Sequence, residues 1–144
     1  MAKPSLENKI VLASRLEEVS RAEAAILCAA EEYGFEGSDR FAIKLALEEA
    51  LANAIKHGNK SDPSKRVILQ FTIDRDHLSI SVCDEGSGFN PSVIPDCTLD
   101  ENLEKPSGRG VMLMRAYMND VSFNPSGNCV TMTKWRGGKK PAAR

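Results

Sequence analysis

Glu49, Asn53 and His57 recur at every fourth residue of the stretch Leu45 to Asn59, LALEEALANAIKHGN. On a helix that spacing lines one side with a carboxylate, an amide and an imidazole. An Asn four residues after a Glu offers oxygen to a hard cation and a base to orient a hydroxyl or a water. The same residue types also make an ordinary solvated helix face. Alone, the stripe does not choose between the two.

Two further clusters bear on the choice. Asp84-Glu85-Gly86-Ser87-Gly88 follows a strand-like run. An Asp at a strand end can accept from a purine amino group, and glycines let a flat ring approach the backbone; a plain turn would use the same residues. Ser107-Gly108-Arg109-Gly110 precedes an apolar helical pattern. Exposed amides at a helix N-terminus, with Arg109 beside them, favour phosphate, although a glycine-rich linker reads the same way. This run is neither a Walker A loop nor a dinucleotide fingerprint.

Stepping outward, the elements that must carry these clusters can be read from periodicity. Ile10 to Ala13 is a first or edge strand. Leu16, Val19, Ala22, Ile26, Ala30 and Tyr33 recur at three and four, a helix stopped by Gly34 and Gly37. Ser38 or Asp39 can cap a second helix running to Gly58. Its apolar face is Ile43, Leu47, Leu51, Ala54 and Ile55, opposite the polar stripe; Ala42 and Ala46, upstream on the stripe, would leave room for a neighbour. Val67 to Ile73 and Leu78 to Val82 alternate as a hairpin around Asp74 to Asp76. Residues 90 to 107 hold three prolines and four acids with little periodicity, the mark of a functional loop or lid. A helix from Val111 to Met118, a strand from Val121 to Phe123, a turn at Pro125 to Asn128 and a strand from Cys129 to Trp135 complete the chain. The order β-α-α-β-β-loop-α-β-β predicts an α+β fold: a two-layer sandwich of a mixed, mostly antiparallel sheet with helices on one face.

The 144 residues suit one domain, 1–144, with a core over about 10–135 and a flexible basic tail over 136–144. Apolar residues make up 42% and charged residues 27%, and the formal charge is −1. That balance gives no electrostatic case for nucleic acid or a membrane surface. No apolar run approaches a membrane span, and MAKPSLENK lacks a signal-peptide core. Cys28, Cys83, Cys97 and Cys129 are scattered without a CxxC pair. We expect buried free thiols in a reducing cytoplasm and no zinc site.

The three clusters, taken together and in this order, resemble the Bergerat-type nucleotide fold of the GHKL superfamily. Within it the chain is most similar to the bacterial anti-sigma-factor serine/threonine-protein kinases, through EALANAIKHG, VCDEGSGF and SGRGVMLMRAYMNDVSF, and the likeness runs from about Ile10 to Trp135. The resemblance implies a free-standing, cytoplasmic, ATP-dependent kinase with ATP and Mg²⁺ as its ligands. It implies that Asn53 ligates Mg²⁺ and that Glu49 orients or deprotonates the attacking hydroxyl. His57 then lies near the phosphates, Asp84 accepts from the adenine amino group, and Gly86 and Gly88 give the ring access. Ser107, Gly108, Arg109 and Gly110 match the loop over the phosphates. The partners implied are a sigma factor and a small antagonist protein that is phosphorylated, with a homodimer common in the family.

Glu49 distinguishes this chain from histidine kinases, which usually carry Asn at that position. A non-catalytic nucleotide-binding regulator that sequesters a partner, and a detached histidine-kinase-like ATP-binding domain, are the alternative readings. One departure stands out. Many superfamily members have Gly-Thr in the last hairpin, the Thr holding adenine, whereas this chain has Gly127-Asn128, so that Asn128 or Thr131 would have to substitute.

Overall fold

The computed structural model describes residues 5–86 and 108–138. Gly88, Ser107, Cys97, the loop over 90–107 and the tail beyond Gly138 lie outside the described residues. Five strands form one sheet in the order β1-β2-β3-β5-β4. They are β1 (Leu6–Ala13), β2 (Arg66–Ile73), β3 (His77–Cys83), β4 (Asp120–Phe123) and β5 (Cys129–Trp135). All four pairings among them are antiparallel. The expected mixed sheet is therefore antiparallel throughout its described part.

Alternation decides which face of the sheet is buried. Val67, Leu69, Phe71 and Ile73 on β2, Leu78, Ile80 and Val82 on β3, and Val130 and Met132 on β5 point into the core. Thr131, between two of them, is exposed. Three helices complete the core: α1 (Val19–Glu32), α2 (Gly37–Ala52) and α3 (Gly108–Tyr117). Ile26 from α1, Ile43, Leu47 and Leu51 from α2, and Met114 from α3 are fully buried.

Several boundaries differ from the sequence reading. The first strand begins at Leu6 rather than Ile10, because its outer half pairs with β2 while keeping most side chains in solvent. Leu16–Glu18 forms a separate 3₁₀ turn ahead of α1. Gly34, at φ 85°, does end α1: Gly34 N–H bonds to the Glu31 carbonyl and Phe35 N–H to the Ala30 carbonyl, with the Phe35 side chain buried, which is a Schellman stop. Neither Ser38 nor Asp39 caps α2. Asp39 is buried instead and accepts the Gly137 N–H at 2.8 Å. That bond, the Asn119 amide on the Gly138 carbonyl and the Arg136 guanidinium on the Arg75 carbonyl pin the 3₁₀ turn Arg136–Gly138 to the fold. The tail expected to be free from 136 is held through Gly138.

The room foreseen beside Ala42 and Ala46 is taken. Both alanines are buried, and α3 packs against α2. The small side chains let α3 approach the helix that carries Asn53.

The expectation of free thiols fails for two of the cysteines. Cys83 and Cys129 are register partners on β3 and β5, with Cα atoms 4.1 Å apart, and are joined as a disulfide. The two strands are not consecutive in sequence, so only the sheet order brings the thiols together. Cys28 is unpaired and exposed.

Candidate nucleotide site

The predicted second helix does not stay α-helical to Gly58. α2 ends at Ala52, and Asn53–Gly58 forms a π-helical turn, closed by the Asn59 N–H on the Ala54 carbonyl at 2.9 Å. Single π turns are rare and recur at functional sites. Here the turn begins at the residue expected to hold the metal and spans His57 and Gly58. It widens the last turn enough for Asn53, Ala54, His57 and Gly58 all to border one cleft, with Ala50 one turn earlier.

The opposite wall comes from the sheet. Val82 faces the core and Cys83 the other side, so the next residue, Asp84, swings back toward the helices. Its backbone N–H bonds to the Asn128 carbonyl at 2.9 Å, which places Asp84 beside the turn before β5. Asp84, Gly127, Asn128, Cys129 and Val130 line this wall, while Met114 from α3 and Phe123 from the end of β4 supply an apolar floor. These groups border one cleft between the helices and the sheet. An apolar floor with a few convergent polar groups is the usual make-up of a small-molecule site.

Asp84 is half-buried, and burial holds its carboxyl above the usual carboxylate range. The Gly86 N–H, 2.8 Å from Oδ1, and the nearby Lys65 ammonium work against that rise. The group is thus a desolvated acceptor aimed at the cleft. Gly58 and Gly86 explain how the two walls come so close. A Cβ on Gly58 would stand 2.3 Å from the Asp84 carboxyl carbon, and one on Gly86 would stand 2.1 Å from the Gly58 carbonyl oxygen. Only hydrogen fits at either position.

Of the residues singled out from sequence, Asn53, His57 and Asp84 meet in the cleft. Gly86 supports Asp84 from behind. Gly108, Arg109 and Gly110 form the first turn of α3. Glu49 sits half-buried on α2, one turn before Asn53, and is not on the cleft wall. Between the two candidates for the missing threonine, the fold favours Asn128, which lines the cleft and directs Nδ2 toward the Gly86 carbonyl at 3.4 Å. Thr131 points away from the helices. Sequence reasoning missed the apolar floor, since Met114, Phe123 and Val130 look like any other core residues.

A family model described as the histidine kinase-like ATPase domain matches residues 12–134. The chain belongs to this family. Among curated relatives, the serine-protein kinase RsbW of Bacillus subtilis (strain 168) is 34% identical over 107 residues, covering 68% of this chain and 66% of the relative. RsbW of Bacillus licheniformis is 32% identical over 115 residues, covering 74% and 71% of the two chains. RsbW of Listeria monocytogenes serovar 1/2a is 27% identical over 145 residues, covering 94% and 92%. The solved RsbU and RsbW domains of Rv1364c from Mycobacterium tuberculosis align with a TM-score of 0.62 at 19% identity. That match covers 97% of this chain and 34% of the larger one, and it speaks for the fold alone. The family expected from the three sequence clusters is the family found.

Proposed function

We propose that this chain is an ATP-dependent serine/threonine protein kinase of the anti-sigma-factor type, acting on a small antagonist protein and sequestering a sigma factor. The observation that carries the reading is the meeting of Asp84 and Asn128 with Asn53 and His57 around one apolar slot. The serine-protein kinase name of the relatives supports it.

The residues fit the ligands this activity needs. Asp84 accepts from the adenine amino group, Met114 and Phe123 flank the ring, and Asn128 stands where many relatives use Thr. Asn53 offers one amide oxygen, which suits Mg²⁺, a cation that keeps several waters and takes its other ligands from phosphate. When bound, the metal neutralises charge on the phosphates. Gly108, Arg109 and Gly110, in the first turn of α3, are assigned to the phosphates by the family resemblance, as is Ser107. Gly88 is assigned to the base by the same resemblance. Glu49, one helical turn before Asn53, orients the serine hydroxyl and receives its proton. Cytoplasmic location, a single domain over 1–144 and a homodimer belong to the same proposal. No described helix is long and apolar enough to cross a membrane.

The deciding experiment uses labelled ATP and the antagonist protein. Wild type should transfer phosphate to a serine or threonine, and Glu49→Ala should keep ATP affinity while losing roughly 10²–10⁴-fold in transfer rate. ATP binding with no transfer by the wild type would favour the non-catalytic regulator. The position of Glu49 off the cleft wall is the observation on that side.

A further inference from the structure

Asn59 follows the π turn directly and is completely buried. Its Nδ2 donates to Ser14 Oγ at 2.8 Å and to the Arg66 carbonyl at 2.9 Å, and its Oδ1 accepts the Glu85 N–H at 2.8 Å. Both amide hydrogens are therefore used, and the carbonyl reaches a third segment. On one side lies the corner between β1 and β2, where Ser14 Oγ donates in turn to the Lys65 carbonyl at 2.8 Å. On the other lies Glu85, the residue after Asp84, whose carboxylate accepts the Arg66 N–H.

The backbone around Asn59 is also fixed. Its N–H closes the π turn on the Ala54 carbonyl, and the Ser61 N–H reaches the Ile55 carbonyl at 2.7 Å. Lys60 and Ser61 then take φ values of 52° and 57°, a region that residues other than glycine avoid. The chain is forced to reverse immediately after Asn59. Just ahead of it, Gly58 touches Asp84 and Gly86 with no space for a Cβ.

We propose that Asn59 is a positioning residue for the nucleotide: its Oδ1–Glu85 bond sets the register between the π turn bearing Asn53 and His57 and the loop bearing Asp84. It thereby fixes the spacing between the phosphate end and the base end of the cleft. The inference rests on the nucleotide reading above. The amide has two separable jobs. Nδ2 ties down the β1–β2 corner, which is structural, whereas Oδ1 holds the base-side loop.

The test measures binding of Mg·ATP and of Mg·tripolyphosphate, which lacks the base, by calorimetry on the full chain. Asn59→Ala removes both jobs, and Ser14→Ala removes only a partner of Nδ2. Asn59→Ala should weaken Mg·ATP about tenfold or more relative to Mg·tripolyphosphate, as expected when one end of a bidentate site is displaced by a fraction of an ångström. Ser14→Ala should lower thermal stability while leaving that ratio within about twofold. An unchanged ratio in Asn59→Ala, or the same change in both variants, overturns the proposal. Amide hydrogen exchange on the wild type decides the case where Asn59→Ala does not fold. The Glu85, Asn59 and Ser61 amides should open together with one free energy, and independent opening of Glu85 overturns the coupling. Failure of the wild type to bind ATP would refute the nucleotide reading, and exchange alone would then judge the role of Asn59.

Discussion

The two walls of the cleft are held in different ways. The sheet wall is cross-linked: Asp84 is fastened to Asn128 through the backbone, Gly86 braces its carboxylate, and the Cys83–Cys129 bridge joins the strands one residue away from each. The helical wall has no covalent tie. Its polar groups ride on a π turn whose hydrogen bonds depart from the α pattern, and Asn59 connects it to the sheet wall. The contrast suggests a division of labour. Under the proposed function, the wall that would read a rigid base is built to stay fixed, whereas the wall that would handle phosphate and metal depends on its seating against the other. Stability and binding should therefore respond oppositely to damage on the two sides.

The largest stability effect should come from the sheet wall. The disulfide closes a loop across a sequence separation of 46 residues, and a bridge over such a loop is worth about 2–4 kcal/mol. The double variant Cys83→Ser/Cys129→Ser should lose that much in urea unfolding, and so should wild type under reductant. The ladder between β3 and β5 keeps Asp84 in place without the bridge, so ATP affinity should change by no more than about threefold. A large loss of affinity with little loss of stability would reverse the assignment of roles to the two walls.

Gly58→Ala should show the opposite balance. The new methyl would displace the Asp84 carboxylate rather than backbone, so the fold can yield at a cost of about 1–3 kcal/mol. The yielding group is the proposed base acceptor. ATP affinity measured by calorimetry should fall about tenfold or more, a larger binding loss than the disulfide variant shows despite the smaller stability loss. Retained affinity would mean that the walls can separate without harm to the site.

The same difference between the walls governs what the sequence could reveal. Alternation along Val67 to Ile73 and Leu78 to Val82 predicted both strands, because one face of an antiparallel sheet is buried and the other is wet. Asn53 and His57 could be placed on one helix side by their spacing of four, and Asp84 stood out as an acid at a strand end followed by glycines. The π turn was not legible, because side-chain periodicity near the end of a helix hardly changes when one hydrogen bond shifts from i−4 to i−5. The disulfide was hidden for a different reason. Cys83 and Cys129 meet only because β5 lies between β3 and β4 in the sheet, a fact of topology that no local pattern carries. Asn59 was equally silent, as its importance depends on Ser14, Arg66 and Glu85 arriving from three separate segments. Ala42 and Ala46 were read correctly as space, and α3 was the element that filled it.

Asp84→Asn should give the smallest change in stability, and one of opposite sign. Burial raises the Asp84 carboxyl above its ordinary range, so the folded chain binds a proton more readily than the unfolded chain does. Between the unfolded and folded values, stability must then fall as pH rises, and above the folded value the deficit is fully present. An amide has no such deficit and can still accept the Gly86 N–H through its oxygen. The variant should therefore match wild type in acid and be slightly more stable at neutral pH, as read from urea midpoints across that range. Its binding should fail in a specific way, with Mg·ATP weakened and Mg·tripolyphosphate unchanged, because only the base has lost its acceptor. Greater stability in the variant together with lost ATP affinity would mark the Asp84 carboxylate as a group kept for the ligand against the interest of the fold. If the variant instead matches wild type in acid but is less stable at neutral pH, the Gly86 and Lys65 interactions outweigh burial, and the sheet wall owes part of its rigidity to the charge itself.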